Sequence, residues 1–212
     1  MAHLALASWD AEQARLYAIR ARLWQAAVAR GQCEVTQPDR GVVLESATDL
    51  PDGLRTEVVD SGYRVAGLYV AVVVPGSPAA SAGLQKGERI AAAGRDHVQV
   101  QETLPRGWRD AEELSLDVAG PNGTRTVQIG SMKLCAVDVV LDESHGLNAY
   151  YDGSRIHVSQ GMVQALPDDA GLAFVLAHEL GHVTARHVLM AHFFDPVGSR
   201  DQEREADCLP LG

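Results

Sequence analysis

An H-E-x-x-H motif lies in the apolar segment Leu172-Ala-Phe-Val-Leu-Ala-His178-Glu179-Leu-Gly-His182. On a helix, residues four apart lie one above the other on the same face, so His178 and His182 can offer two imidazoles to one metal ion. Glu179 stands beside them in the position of a general base. Because apolar residues cover nearly every side of this helix, we expect it to be buried, where histidines without partners would be costly. The motif therefore predicts a metal centre, with zinc as the ion.

A zinc site with two histidines needs a third protein ligand and an open position for water. The segment Ser199-Arg-Asp-Gln-Glu203-Arg-Glu205-Ala-Asp207 offers carboxylates for this role. Glu203 and Asp207 are four residues apart, so Glu203 can ligate the zinc while Asp207 supports a ligand from behind. Glu205 is the rival ligand, and His187 is a further candidate whose spacing fits less well. A solvated charged helix is the alternative interpretation of the segment.

Three motifs, LNAYYDGSRIHVSQGMVQAL, DDAGLAFVLAHELGHVTARH and SRDQEREAD, follow one another between about Leu134 and Asp207. In this order they resemble the HtpX and CaaX-prenyl-protease type of zinc peptidase, gluzincins whose third ligand lies in an E-x-x-A-D motif. The resemblance implies an α+β fold with a mainly helical, zincin-like peptidase domain and a small edge sheet. It also implies the site residues, which are the zinc ligands His178, His182 and Glu203, the base Glu179 and the supporting Asp207.

The same resemblance implies a mechanism and a place for the substrate. Zinc would activate a water molecule for attack on the scissile carbonyl, and Glu179 would carry its proton to the leaving amine. The segment Arg155-Ile156-His157-Val158 would be an edge strand beside the cleft that pairs with the substrate backbone. A side chain usually assists the oxyanion. His157, His187 and His192 are candidates for that role by residue type alone.

The middle of the chain has the pattern of a small β domain. The β-branched run Gly67–Val74 predicts a buried strand. Pro75-Gly76 breaks it, and Ser77 followed by Pro78 predicts a short capped helix. Alternating residues on both sides of Asn122-Gly123 predict a hairpin.

This region, from about Leu54 to Gly130, resembles a PDZ domain of the bacterial protease-associated type, since VPGSPAASAGLQKGERI is close to that family's core signature. The resemblance implies recognition of an extended peptide by strand addition. The loop Gly62-Tyr-Arg-Val65 is a candidate for binding a peptide carboxylate. A β domain without a ligand, acting as a lid or spacer, is the alternative.

The N-terminal region predicts one helix, with Asp10 as its cap and an apolar stripe from Leu16 to Ala27. The run Gly41–Glu45 predicts a strand that joins the sheet of the peptidase part. We therefore expect three segments: 1–53 with the peptidase domain, 54–130 as an inserted PDZ-like domain, and 131–212 as the zinc peptidase domain. Since peptidases of this type continue with further helices, we expect the last segment to be truncated at its C-terminus.

Composition limits the possible partners. The 212 residues carry a net charge of -10, which disfavours nucleic acid and anionic membrane surfaces. The apolar runs are shorter than the ~18 residues that a membrane span needs. Two function classes remain, a zinc endopeptidase acting on peptides or unfolded proteins, and a non-catalytic peptide-binding or chaperone-like protein that retains a zinc site.

The three cysteines are Cys33, Cys135 and Cys208. Cys33 and Cys135 flank the PDZ-like segment, so a disulfide between them would staple its two ends, and two buried thiols are the alternative. We expect a periplasmic or otherwise extracytoplasmic protein, with a cytoplasmic location as the alternative. The sequence does not indicate an oligomeric state.

Overall fold

A computed structural model describes residues 2–60, 67–94, 96, 98–100, 104, 108, 111–186, 203–204 and 206–207 of the chain. The helices are α1 (Ala2–Ala29), α2 (Asp52–Asp60), α3 (Pro78–Ser81), α4 (Gln160–Ala165) and α5 (Asp169–Thr184), with a 3-10 turn at Ala47–Asp49. The strands are β1 (Thr36–Asp39), β2 (Val42–Glu45), β3 (Leu68–Val73), β4 (Arg89–Ala93), β5 (Val98–Gln99), β6 (Leu114–Gly120), β7 (Gly123–Ile129), β8 (Met132–Cys135), β9 (Asp138–Asp142), β10 (Ala149–Tyr151) and β11 (Arg155–Ser159). The predicted α+β class is confirmed. The described residues are rich in strands, and a mainly helical peptidase part is not confirmed.

The chain forms two compact units. Unit 1 comprises Met1–Ala14 and Gln37–Lys133, and unit 2 comprises Arg15–Thr36 and Leu134–Gly212. Strands β1 and β8 pair as a two-stranded sheet. The boundaries at 54 and 130 that the sequence suggested for an inserted domain stay a prediction. Within the described residues, no helix has both the length and the hydropathy needed to cross a bilayer.

Unit 1 contains a six-stranded antiparallel sheet in the order β2-β3-β4-β6-β7, with β5 paired to β4. Alternate residues of β6 are buried, as expected for a strand with one face on the core. The predicted hairpin is confirmed: Gly120 pairs with Gly123 across a two-residue turn. Ser77 caps α3 as predicted, since its side chain accepts a hydrogen bond from the Ala80 N–H at 3.2 Å.

Strand β2 belongs to unit 1, so the expectation that Gly41–Glu45 joins the peptidase sheet is wrong. It pairs antiparallel with β3, with Val42 opposite Val73 and Glu45 opposite Tyr69. The side chains of Val42 and Leu44 pack on the hydrophobic core of this sheet, which explains the choice of partner. The run Gly41–Glu45 predicted a strand correctly, but a short run does not specify which sheet the strand enters.

Helix α1 starts at Ala2, so the expectation that Asp10 caps it is also wrong. Asp10 lies inside the helix, is buried, and forms an ion pair with Lys86 at 2.9 Å. The neighbouring helical residues Trp9 and Gln13 donate side-chain hydrogen bonds to the buried carboxylate of Glu45. These contacts stabilise the extra N-terminal turns on unit 1.

Unit 2 contains a three-stranded sheet in the order β10-β11-β9, in which β11 is antiparallel to β10 and parallel to β9. The part of α1 that lies in this unit packs beside it, because Tyr17 and Trp24 donate hydrogen bonds to the carbonyls of Val139 and Val137 at 2.9 and 3.0 Å. The largest fully buried side chains among the described residues of this unit are Leu16, Ile19, Trp24, Leu134, Ile156, Leu172 and Leu176. Helix α5, which carries the H-E-x-x-H motif, contributes Leu172 and Leu176 to this buried set.

Candidate metal centre

Local sequence determines where helix α5 begins. Asp168 is the N-cap and accepts a hydrogen bond from the Gly171 N–H at 2.7 Å, while Asp169 places a negative charge in the first turn. The motif lies in the last two turns, where Glu179 and His182 are each only 7% exposed. The cap and the buried apolar face together fix the orientation of the motif side chains.

The predicted ligands His178, His182 and Glu203 lie together in the structure. The Nε2 atoms of the two histidines are 3.1 Å apart, and Glu203 Oε2 lies 3.0 Å from the first and 3.6 Å from the second. Nitrogen and oxygen ligands held tetrahedrally at zinc bond lengths would be about 3.3 Å apart. Among the described residues, this is the cluster whose ligand atoms converge as a metal site requires. The donor set therefore fits a zinc ion.

Glu203 reaches the histidines because its helical segment packs closely against α5. A Cβ atom added to Gly181 would lie 2.6 Å from the carbonyl oxygen and 2.7 Å from the Cα of Ala206. Ala206 is itself buried, at 1% exposure. The glycine in the motif thus lets the backbone that carries Glu203 approach the helix that carries the histidines.

The carboxylate of Asp207 lies against the ring of His178. Its Oδ1 lies 2.9 Å from Nδ1 of His178. When Nδ1 carries the proton and donates it to this carboxylate, the Nε2 lone pair is left to face the metal position. The pair fixes both the tautomer and the ring orientation of His178.

Glu179 is the buried acid beside these ligands. Burial raises the pKa of its carboxyl group, and the negative charge of Glu203 raises it further, while His178 and a backbone hydrogen bond from Tyr151 act in the opposite direction. The net shift is upward. A carboxylate whose pKa moves toward neutrality is better suited to accept and return a proton near pH 7.

The strand beside Glu179 is β10, so the expectation that Arg155–Val158 is the edge strand is wrong. Those residues belong to β11, which lies at the centre of its sheet with β10 and β9 on its two sides. Within the described chain, no strand pairs with the outer side of β10. In the hairpin, Tyr150 lies opposite His157, and the Asp152 N–H bonds the Arg155 carbonyl at 3.1 Å. Hydrogen-bonded and non-bonded positions alternate in an antiparallel pair, so Ala149 and Tyr151 direct their backbone groups outward.

Of the three oxyanion candidates from the sequence, the structure describes His157. Both ring nitrogens of His157 are occupied, Nδ1 by Asp142 at 3.0 Å and Nε2 by Asp152 at 2.9 Å. That imidazole is therefore no free donor for a substrate. His187, His192 and the rival ligand Glu205 lie outside the described residues, as does the candidate carboxylate loop at 62–65.

Cys33 and Cys135 are joined by a disulfide within unit 2, with their Cα atoms 5.5 Å apart.

Three contributors to the site were missed from the sequence: Tyr151, Gly181 and Asp152. Tyr151 acts through a backbone N–H, which every non-proline residue has, so no side-chain pattern could indicate it. Asp152-Gly153-Ser154 is a turn signal that could have placed the end of β10.

Comparison with known proteins agrees with the site. Residues 124–197 match the family model described as "Peptidase family M48", a stretch that includes the H-E-x-x-H motif and stops before Glu203. No curated protein matches the chain at a significant level.

Two solved structures show weak similarity. One is the HtrA3 PDZ domain bound to a phage-derived ligand, FGRWV, at 20% identity and a TM-score of 0.37, covering 47% of this chain and 89% of that chain. The other is the HtrA-type protease AlgW with a decapeptide, at 19% identity and a TM-score of 0.32, covering 51% of this chain and 32% of that chain. The resemblance to HtpX-type peptidases is confirmed by the family match over residues 124–197.

Proposed function

We propose that this protein is a zinc-dependent endopeptidase that hydrolyses peptides or unfolded proteins. The observation that carries the proposal is the convergence of His178, His182 and Glu203 ligand atoms, within 4.8 Å of one another, beside the buried carboxylate of Glu179. A bound zinc ion would supply Lewis acidity toward a water molecule and toward the substrate carbonyl.

The residues around the ion have separate roles. Glu179 accepts the proton of the attacking water and returns it to the leaving amine, which requires a carboxyl pKa nearer neutrality than that of a solvated glutamate. Burial supplies that upward shift. Asp207 holds His178 in the tautomer that leaves Nε2 for the metal.

The substrate backbone is proposed to pair with β10. Ala149 is one of the residues whose backbone groups point away from β11, and Tyr151, the other, directs its N–H to Glu179. An extended substrate segment added along this edge would bring a peptide bond to the metal position by strand addition. A folded substrate segment cannot pair in this way, which favours unfolded chains.

The PDZ-like unit is proposed to recognise peptides, and the protein is proposed to act in the periplasm or another extracytoplasmic space. The antiparallel sheet of unit 1 and its capped helix α3 support a β domain of this kind. The disulfide between Cys33 and Cys135 supports an oxidising compartment. Net charge gives no reason to expect nucleic acid as a partner.

The test is hydrolysis of unfolded casein by zinc-loaded protein, compared with the Glu179→Gln variant. The variant keeps all three ligands, so both proteins should hold one zinc per chain by elemental analysis, and only the parent should cleave. If the parent cleaves no faster than Glu179→Gln although both contain zinc, the peptidase proposal fails. The non-catalytic peptide-binding function would then remain.

A further inference from the structure

The β10–β11 hairpin carries an ionic cluster that lies outside the metal ligands. His157 lies between two carboxylates, with Nδ1 at 3.0 Å from Asp142 Oδ2 and Nε2 at 2.9 Å from Asp152 Oδ2. The ring is only 19% exposed and stacks on Tyr150, with 4.8 Å between centroids and 4° between planes. Because ionised carboxylates only accept hydrogen bonds, both contacts are made fully when each ring nitrogen carries a proton.

Asp152 connects this histidine to the turn of the hairpin. Its Oδ1 accepts hydrogen bonds from the Ser154 N–H at 2.7 Å, the Ser154 hydroxyl at 2.8 Å and the Arg155 N–H at 2.8 Å. Together with the bond from His157, and led by the one from Arg155, these contacts lower the pKa of the Asp152 carboxyl group. The turn also contains Gly153 at a φ of 97°, a conformation that suits glycine.

The hairpin so fixed is the element that faces the catalytic base. Asp152 directly follows Tyr151, whose backbone N–H bonds Glu179, and Ala149 lies two residues before that on the open edge. His157 therefore ties the central strand to the turn that sets where this edge lies. His157 is neither a metal ligand nor a surface charge, and it acts on strand β10 through Asp152.

We propose that His157 is a positioning residue that holds β10 in place for pairing with the substrate backbone. This inference rests on the proposed peptidase function, because it assigns β10 the substrate. The hydrogen bonds of His157 to Asp142 and Asp152, and not the volume of its ring, provide this positioning.

The test compares His157→Phe with Asp152→Asn in the full chain. Phenylalanine keeps a ring that can stack on Tyr150 but has no N–H, and asparagine keeps the Oδ1 acceptor for the turn while removing the Oδ2 acceptor. Each is expected to raise KM about tenfold with kcat changed less than about threefold, the cost of one charge-assisted hydrogen bond. The double variant should lose no more than His157→Phe alone, since that substitution already removes the bond to Asp152. His145→Ala, a histidine in the exposed loop before β10, is the control and should behave as the parent.

Two measurements separate this inference from the proposed function. The first is the affinity of zinc-loaded Glu179→Gln protein for a fluorescent casein peptide, which should weaken about tenfold on adding His157→Phe, with zinc affinity unchanged. The second is amide exchange of residues 149–158 in metal-free protein, which should accelerate in His157→Phe and not in His145→Ala. Parent-like KM, peptide affinity and exchange in His157→Phe, or additive losses in the double variant, overturn the positioning role. Absence of hydrolysis by the parent overturns the peptidase proposal instead, and amide exchange then still decides whether His157 fixes the hairpin.

Discussion

Nδ1 of His178 lies 2.9 Å from Oδ1 of Asp207, so one carboxylate sets which ring nitrogen of the first motif histidine faces the metal position. We expect Asp207→Ala to weaken zinc binding by about 10- to 100-fold, the usual cost of losing a carboxylate that orients a histidine ligand. Competition with a chromophoric chelator measures this affinity. Glu143→Ala, which removes an exposed carboxylate from the loop before β10, is the control. Unchanged affinity in Asp207→Ala would mean that the His178 ring is oriented by other contacts.

Replacing Glu203 should lower zinc affinity more than replacing Asp207 does. Glu203 is the proposed third ligand itself, whereas Asp207 only orients a ligand. Its Oε2 is 3.0 Å from His178 Nε2 and 3.6 Å from His182 Nε2, close to the spacing of atoms that share one ion. We expect Glu203→Ala to lower zinc affinity by more than about a hundredfold. The same chelator competition measures it, with metal content of the purified protein as a second readout. Retention of tight, stoichiometric zinc would transfer the third-ligand role to Glu205 or a histidine.

Gly181 sets the distance between α5 and the segment that carries Glu203. Because an added Cβ would lie 2.6 Å from the Ala206 carbonyl oxygen, Gly181→Ala must push two backbones apart. We expect a loss of about 1–3 kcal/mol in the free energy of unfolding and a clear fall in zinc affinity. Thermal unfolding with and without zinc measures both effects.

Gly171→Ala is the matched control for this substitution, since it lies in the first turn of the same helix. Its added Cβ would meet side-chain atoms and no backbone, with Leu166 Cδ2 at 3.2 Å and Asp168 Oδ1 at 3.5 Å. Alanine has the better helix propensity, so the control should be neutral or mildly stabilising. A Gly181→Ala protein that binds zinc as tightly as the Gly171→Ala protein would show that the close approach is not needed for the site.

The features that the sequence predicted well are local ones. The i, i+4 spacing of His178 and His182, the Ser77 cap and the hairpin at Asn122 all depend on residues close together in the chain. Each is decided by helix or turn geometry that a short window of sequence contains. The two motif histidines therefore lie together as expected, and Glu203 reaches them from a second local pattern.

The errors concern relations between distant segments. The run Gly41–Glu45 indicated β2, and the family resemblance implied β11. Whether a strand lies at the edge or the centre of a sheet, however, depends on partners elsewhere in the chain. Strand β11 pairs in parallel with β9, and strand β2 pairs with β3 in unit 1. The backbone bond from Tyr151 to Glu179 has the same origin, because it follows from the strand order and not from a side chain.

Unit 1 should show a pH-dependent contribution from Glu88. Burial alone would raise the pKa of this carboxyl group, but hydrogen bonds from Arg125 and from the Gln85 N–H outweigh it and lower the pKa. The stabilisation is therefore fully present above the unfolded-state pKa of about 4.3, and is lost as the pH falls through the lower folded-state value. We expect Arg125→Met to reduce the free energy of unfolding by about 1–2 kcal/mol at pH 7, with partial screening because Arg125 is 43% exposed.

Urea unfolding of the parent and of Arg125→Met between pH 3 and pH 7 measures this contribution. The difference between the two proteins should shrink as the medium is acidified, because protonated Glu88 no longer gains from the guanidinium. Lys133→Met removes an exposed positive charge from β8 and is the control for net charge. A difference that is constant across this pH range would indicate that Arg125 stabilises unit 1 by packing alone.

The disulfide between Cys33 and Cys135 gives the last prediction. It closes a loop with a sequence separation of 102, so it removes many conformations from the unfolded chain. Denatured, unreduced protein should titrate one thiol, that of Cys208, and all three cysteines should react after reduction. Replacing Cys33 and Cys135 together by serine should lower the free energy of unfolding by about 2–5 kcal/mol, whereas Cys208→Ser should leave it unchanged. Three reactive thiols in air-oxidised protein would refute the bridge. The stabilisation would then have to come from packing of the Leu134–Val139 region against Trp24, whose indole N–H already bonds the Val137 carbonyl.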